Sequence, residues 1–112
     1  MAFRMRNRMG VEVLHFPGDL DASHMVVVKD RLARLLKKNR KKVLMDLSDT
    51  RRVELAGLGI LVDRLRTIRA LKGDIKFCHM SPEVRRALDM IGMNGLIESF
   101  HTEEEAIQSF AA

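Results

Sequence analysis

The stretch DLSDTRRVELAGLGILVDRL, residues 46–65, decides the fold. It follows directly from Lys42-Val43-Leu44-Met45, and Lys42 to Leu47 is a nearly continuous apolar run. Such a run is expected of a strand covered on both faces. A polar loop comes next, and from about Gly57 the period changes. Leu58, Leu61, Val62, Leu65 and Ile68 recur at helical spacing as far as Lys72, with Asp63, Arg64, Arg66 and Arg69 on the other side. The start of this helix, Gly57-Leu58-Gly59, presents free N–H groups and partial positive charge, which suits an anion or a phosphorylated hydroxyl. Ala56, the residue before it, has no hydroxyl.

The flanking sequence repeats the alternation of strand and helix. Residues 2–9 alternate, with Arg4, Arg6 and Arg8 forming one basic face, and read as an edge strand that discourages edge pairing. Gly10 permits a turn into a second strand, Val11 to Phe16, which Pro17-Gly18 ends. Ser23, or Asp21 as a nearby alternative, can cap a helix striped by Met25, Val28, Leu32, Leu35 and Leu36. The three valines at 26–28 weaken its first turns, and it ends in the basic turn Asn39-Arg40. Beyond the central helix, Gly73 is expected to adopt positive φ. Asp74 to His79 forms a strand, and Ser81-Pro82 opens a helix with Val84, Ala87, Leu88 and Ile91 on one face, closed by Gly92. Leu96 to Phe100 suits a short last strand. Thr102-Glu103-Glu104-Glu105 is a capping box, and Ala106, Ile107 and Phe110 dock the terminal helix. The order β-β-α-β-α-β-α-β-α predicts one α/β domain over residues 1–112, with a mixed, mostly parallel sheet of about four to five strands and about four helices.

Composition narrows the chemistry. The chain has 112 residues, a formal net charge of +5 and a pI near 9.9. The basic residues are spread over several elements, and no Trp or Tyr supplies a stacking platform, so no nucleic-acid partner is expected. No apolar run spans a bilayer and no apolar signal core follows the basic N-terminus, so a cytoplasmic location without membrane insertion is expected. His15, His24, His79 and His101 lie in separate elements without ligand spacing, so no metal or other cofactor is expected. Cys78 is alone and reads as a core thiol. Its neighbour His79 is expected on the opposite face of the strand, which argues against a local Cys–His pair. Gly57-x-Gly59 lacks the rest of a phosphate loop or dinucleotide fingerprint, and the three glutamates at 103–105 suit a helix dipole. No catalytic residue emerges, and an enzyme is not expected.

VLMDLSDTRRVELAGLGILVDRLRTIRALKGDIKFCHMSPEVRRALDMIGM, residues 43–93, resembles the STAS domain, in particular the stand-alone bacterial anti-sigma-factor antagonists. FPGDLDASH, residues 16–24, resembles the family's Gly-acidic-Leu-Asp segment between the second strand and first helix. The resemblance implies helices packed mainly on one side of the sheet and a function in transcription regulation without catalysis. The partner it implies is an ATPase-fold serine kinase that doubles as an anti-sigma factor. That kinase phosphorylates a hydroxyl at the start of the second helix, and the added charge breaks the complex. The family's pattern there is Asp-Ser-Ser/Thr-Gly-Leu-Gly. This chain has Glu54-Leu55-Ala56-Gly57-Leu58-Gly59, so Ala56 stands at the phosphoacceptor position and cannot be phosphorylated.

The expected partner-binding residues are therefore Asp19, Asp21, Glu54, Leu55, Ala56, Gly57 and Leu58, acting by surface complementarity as a constitutive binder. Asp19 and Asp21 equally suit turn and cap formation, and Leu55 equally suits the core. Ser48 and Thr50 lie nearby and read as ordinary turn residues. An alternative role is a scaffold subunit of a stress-signalling complex or an accessory subunit of a lipid transporter. A small nucleotide-binding protein rests on Gly57-x-Gly59 alone. A homodimer through surfaces other than the basic edge strand is compatible with the sequence.

Overall fold

A computed structural model describes residues 3–111. Ala2, where the first alternating stretch begins, lies outside them. The elements run β1 Met5–Arg8, β2 Val11–His15, α1 Ala22–Lys37, β3 Lys42–Asp46, α2 Leu55–Ala70, β4 Asp74–Cys78, α3 Pro82–Met90, β5 Ser99–Phe100 and α4 Glu103–Ser109. The five strands form one sheet in the order β1-β2-β3-β4-β5. β1 is antiparallel to β2, and every later pairing is parallel. The Met9-Gly10 turn joins the hairpin with both residues at positive φ, 53° and 83°, as a tight two-residue hairpin connection requires.

Three helices, α1, α2 and α3, cover one face. Their apolar stripes meet Leu14, Phe16, Val43, Met45, Ile75 and Phe77 in the main core. The other face is covered only in part. There α4 sets Ala106 and Ile107 on Val11, Val13, Leu44 and Cys78. Strand neighbours point to opposite faces, so β3 sends Val43 and Met45 to the large core and Leu44 to the small one.

Several expectations shift in detail. Asp21, not Ser23, caps α1, accepting the backbone N–H of His24 at 2.9 Å. That bond, with the Ser23 hydroxyl, holds the Asp21 carboxyl below its ordinary value. α2 starts two residues before Gly57. After it, Lys72 takes the left-handed turn at φ 65° and Gly73 does not. Gly73 is there for space, because a Cβ would lie 2.3 Å from the Lys41 carbonyl oxygen. The basic face of β1 is largely exposed but is not left unpaired. Arg6 and Arg8 both donate to the buried Glu103 carboxylate at the start of α4. Glu103 thereby serves as a clamp between the edge strand and the last helix, in addition to matching the helix dipole. Among the described residues no helix is long and apolar enough to cross a membrane.

Candidate functional site

The N-terminal tip of α2 is built by the loop that precedes α1. Leu20 and Val53 form a parallel bridge. Leu20 N–H donates to the Arg52 carbonyl at 2.9 Å, and Glu54 N–H donates to the Leu20 carbonyl at 3.0 Å. Asp19 Oδ1 accepts the backbone N–H groups of Arg51 and Arg52, each at 3.1 Å. Thr50 Oγ1 donates to the Gly18 carbonyl at 2.7 Å. These bonds weld residues 18–21 to residues 50–54, so the tip is a rigid corner.

Gly57 is what lets the corner close. A Cβ there would lie 2.6 Å from the Leu20 carbonyl oxygen and 2.7 Å from Asp21 Cα. Backbone cannot yield such space, so the residue must be glycine. At Gly59, two residues on, an added Cβ would meet nothing within 4 Å. The two glycines of the motif therefore have different standing, and only the first is demanded by packing.

The structure brings the expected partner-binding residues into one neighbourhood and divides them into two groups. Gly57 and Leu58 are buried, and Leu58 belongs to the main core. They position the tip without forming its surface. Glu54, Leu55 and Ala56 are exposed, Leu55 at 75%. Asp19 and Asp21 are half-buried, with oxygens already committed to Arg51, Arg52, Ser23 and His24. Glu54 occupies the cap position of α2 but makes no side-chain cap. An apolar side chain thus stands on the dipole-positive end of a 16-residue helix. Val26, 59% exposed, lies in the first turns of α1 at the same end of the molecule. Among the described residues Leu55 and Val26 are the large apolar side chains exposed at that end, and Val26 carries no separate sequence signal because it sits within a valine run.

The neighbouring hydroxyls differ in access. Thr50 is buried with its hydroxyl engaged, so no enzyme can reach it. Ser48 is exposed in the loop after β3. His24 packs under the corner, edge-on to Phe16, with its ring close against Gly18. Its Nδ1 is 2.8 Å from Asp21 Oδ1 but lacks hydrogen-bond alignment.

Comparison with known proteins places this geometry in a family. The STAS domain matches over residues 2–106. An anti-sigma F factor antagonist of Paenibacillus polymyxa is 22% identical, over 96% of this chain and 92% of its own length. The unphosphorylated form of the anti-sigma factor antagonist SpoIIAA superposes with a TM-score of 0.74 at 18% identity, covering 99% of both chains. An anti-sigma factor antagonist from Mycobacterium paratuberculosis reaches a TM-score of 0.82 at 16% identity, over 99% of this chain and 94% of the other. The chain belongs to the STAS domain family.

Proposed function

We propose that this STAS domain is a non-catalytic anti-sigma-factor antagonist that binds its regulator through the tip of α2 and holds that contact without a phosphorylation switch. The observation that carries this reading is the exposed Leu55 on a rigid helix start whose next residue is Ala56. In the family pattern a small polar residue and a phosphoacceptor stand at these two positions. Here both side chains are apolar. Burying Leu55 against a partner contributes roughly 1.5–3 kcal/mol, and Ala56 never gains the charge that would repel that partner. Glu54, Leu55 and Ala56 supply the contact, flanked by Asp19 and Asp21. The partner is an ATPase-fold kinase that acts as anti-sigma factor, and the protein works in the cytoplasm.

The test is binding to a cognate switch kinase, measured by calorimetry with and without ATP. The expected result is a complex whose affinity ATP does not lower over time, and no phosphate on the antagonist. Ala56→Ser restores a hydroxyl at the tip and is expected to be phosphorylated and released. If no such kinase binds either form, the sigma-pathway reading falls.

A further inference from the structure

The uncovered part of the second sheet face holds a side-chain cluster that the α2 tip does not use. Asp46 ends β3 and Cys78 ends β4, and the two are register partners in adjacent parallel strands. Their side chains therefore stand side by side on one face. His79 comes next. Alternation would send it to the opposite face, as the sequence reading expects, but that rule holds only for extended backbone. His79 lies beyond the strand with φ at 58°. The left-handed turn swings its ring back to the face of Cys78, and the expectation against a local pair is overturned. His79 Nδ1 is 3.1 Å from Asp46 Oδ1 and 3.8 Å from Cys78 Sγ. The three donor atoms all lie within 4.8 Å of one another.

We propose that Asp46 Oδ1, Cys78 Sγ and His79 Nδ1 form a binding site for a divalent transition-metal ion, zinc foremost. Tetrahedral zinc, at about 2.0 Å from nitrogen and oxygen and about 2.3 Å from sulfur, sets its ligand atoms roughly 3.3–3.5 Å apart. The observed spacings bracket that range. Borderline and soft donors, a thiolate with an imidazole, select zinc over magnesium or calcium. Without an ion the cluster is poorly matched. A single ring nitrogen faces both a carboxylate and a thiol, and it cannot donate to one while accepting from the other. An ion between the three satisfies all of them.

The surroundings already supply what orients such ligands. Ser48 N–H donates to Asp46 Oδ1 at 2.9 Å, fixing the carboxylate and leaving a second lone pair free. His15 lies against the outer oxygen, its Nδ1 3.5 Å from Asp46 Oδ2, while its Nε2 is 2.6 Å from Asp49 Oδ2. The His79 ring is 40% exposed and provides the way in; Cys78 forms the floor. Three protein ligands leave a fourth position for water or a partner's donor. On binding, the Cys78 S–H bond breaks, a metal–sulfur bond forms, and one proton passes to solvent. Thiolate and carboxylate then match the two charges of the ion. The location, at the carboxyl ends of adjacent parallel strands, is where open α/β sheets hold ligands.

The test is titration of chelator-stripped protein with cobalt(II), followed by displacement with zinc. The expected result is one ion per chain, a thiolate-to-cobalt charge-transfer band in the near ultraviolet, and visible bands of tetrahedral intensity that zinc abolishes. Cys78→Ser is expected to remove the charge-transfer band. Because Cys78 is buried, His79→Asn provides a second variant; asparagine tolerates left-handed backbone and cannot replace the imidazole. It is expected to weaken binding by tenfold or more with an unchanged circular dichroism spectrum. Absence of cobalt binding, binding without the thiolate band, or full affinity in His79→Asn would each overturn the site.

Discussion

The backbone of Leu20 comes so close to Gly57 that a single added carbon would lie 2.6 Å from the Leu20 carbonyl oxygen. This contact joins the loop before α1 to the first turn of α2 and sets the angle at which the tip is presented. Helix propensity alone favours alanine over glycine in a helix by roughly 1 kcal/mol. Overpacking against fixed backbone costs about 1–3 kcal/mol, and here the contact wins. Gly57→Ala is expected to lower stability in urea denaturation and to reduce partner binding. Gly59→Ala, where the added carbon meets nothing, is expected to raise stability. If both substitutions stabilise, the corner is more pliable than its bonding implies.

Leu55 and Leu58 are three residues apart in one helix and are expected to respond oppositely. Leu55 is exposed and Leu58 is 4% exposed in the core. Leu55→Ser is expected to change stability by no more than about 0.5 kcal/mol while weakening the complex with the regulator. Leu58→Ala is expected to cost about 2–5 kcal/mol. Parallel melting curves and binding isotherms separate the two. Equal destabilisation would place Leu55 in the core.

Glu103 links the two ends of the sheet and carries a pH dependence of known sign. Its hydrogen bond from Arg6 outweighs burial, and with Arg8 it holds the carboxyl below the ordinary value of 4.5. A depressed folded value means that this stabilisation is complete above about 4.5 and is lost as the pH falls below it towards the folded value. Arg6 and Arg8 are well exposed, at 56% and 37%, so solvent screens the pairs. Glu103→Gln is expected to cost about 1 kcal/mol at neutral pH and almost nothing in strong acid. Denaturation midpoints of the two proteins across that range check it; a gap that stays constant in acid would mean the loss is packing, not charge.

Lys72 and Gly73 invert the usual assignment at a helix end. Lys72 takes the left-handed conformation, and Gly73 makes room for the Lys41 backbone. Lys72→Gly is expected to stabilise by about 0.5–1 kcal/mol, by relieving the strain of a side chain in that region. Gly73→Ala is expected to destabilise. Thermal unfolding of both variants distinguishes this arrangement from one in which Gly73 is the turning residue.

The α3 stripe stops at Leu88, since Ile91 lies past the helix and is exposed, and the last strand is Ser99–Phe100 and not Leu96 to Phe100, because Leu96 sits in a turn. The order of elements, the other strands, the stripes of α1 and α2, and the caps at Ser81 and Thr102 were legible in the sequence. Each is a local signal: side-chain period, a capping oxygen three residues before the N–H it accepts, or Gly92 at a positive φ of 77°. The exposed tip was legible only as a choice. Whether Leu55 turned inward or outward depended on where α2 began, and helix starts are weakly specified without a side-chain cap. That Glu54 gives none is a property of the folded corner.

Other features could come only from the fold. Arg6 and Glu103 are 97 positions apart and meet because the last helix, packed over the parallel strands, starts beside the arginines of the edge strand. Gly57 and Gly73 are required by carbonyls of residues far away in the chain. Asp46, Cys78 and His79 converge because two strands share a register and one backbone angle departs from extension. By itself the sequence determined what repeats every two or three to four residues, because hydrophobic burial acts on periodic faces. The tertiary structure alone decided which carbonyl meets which glycine and which donor meets which carboxylate, because those contacts depend on distances between segments that no local pattern encodes.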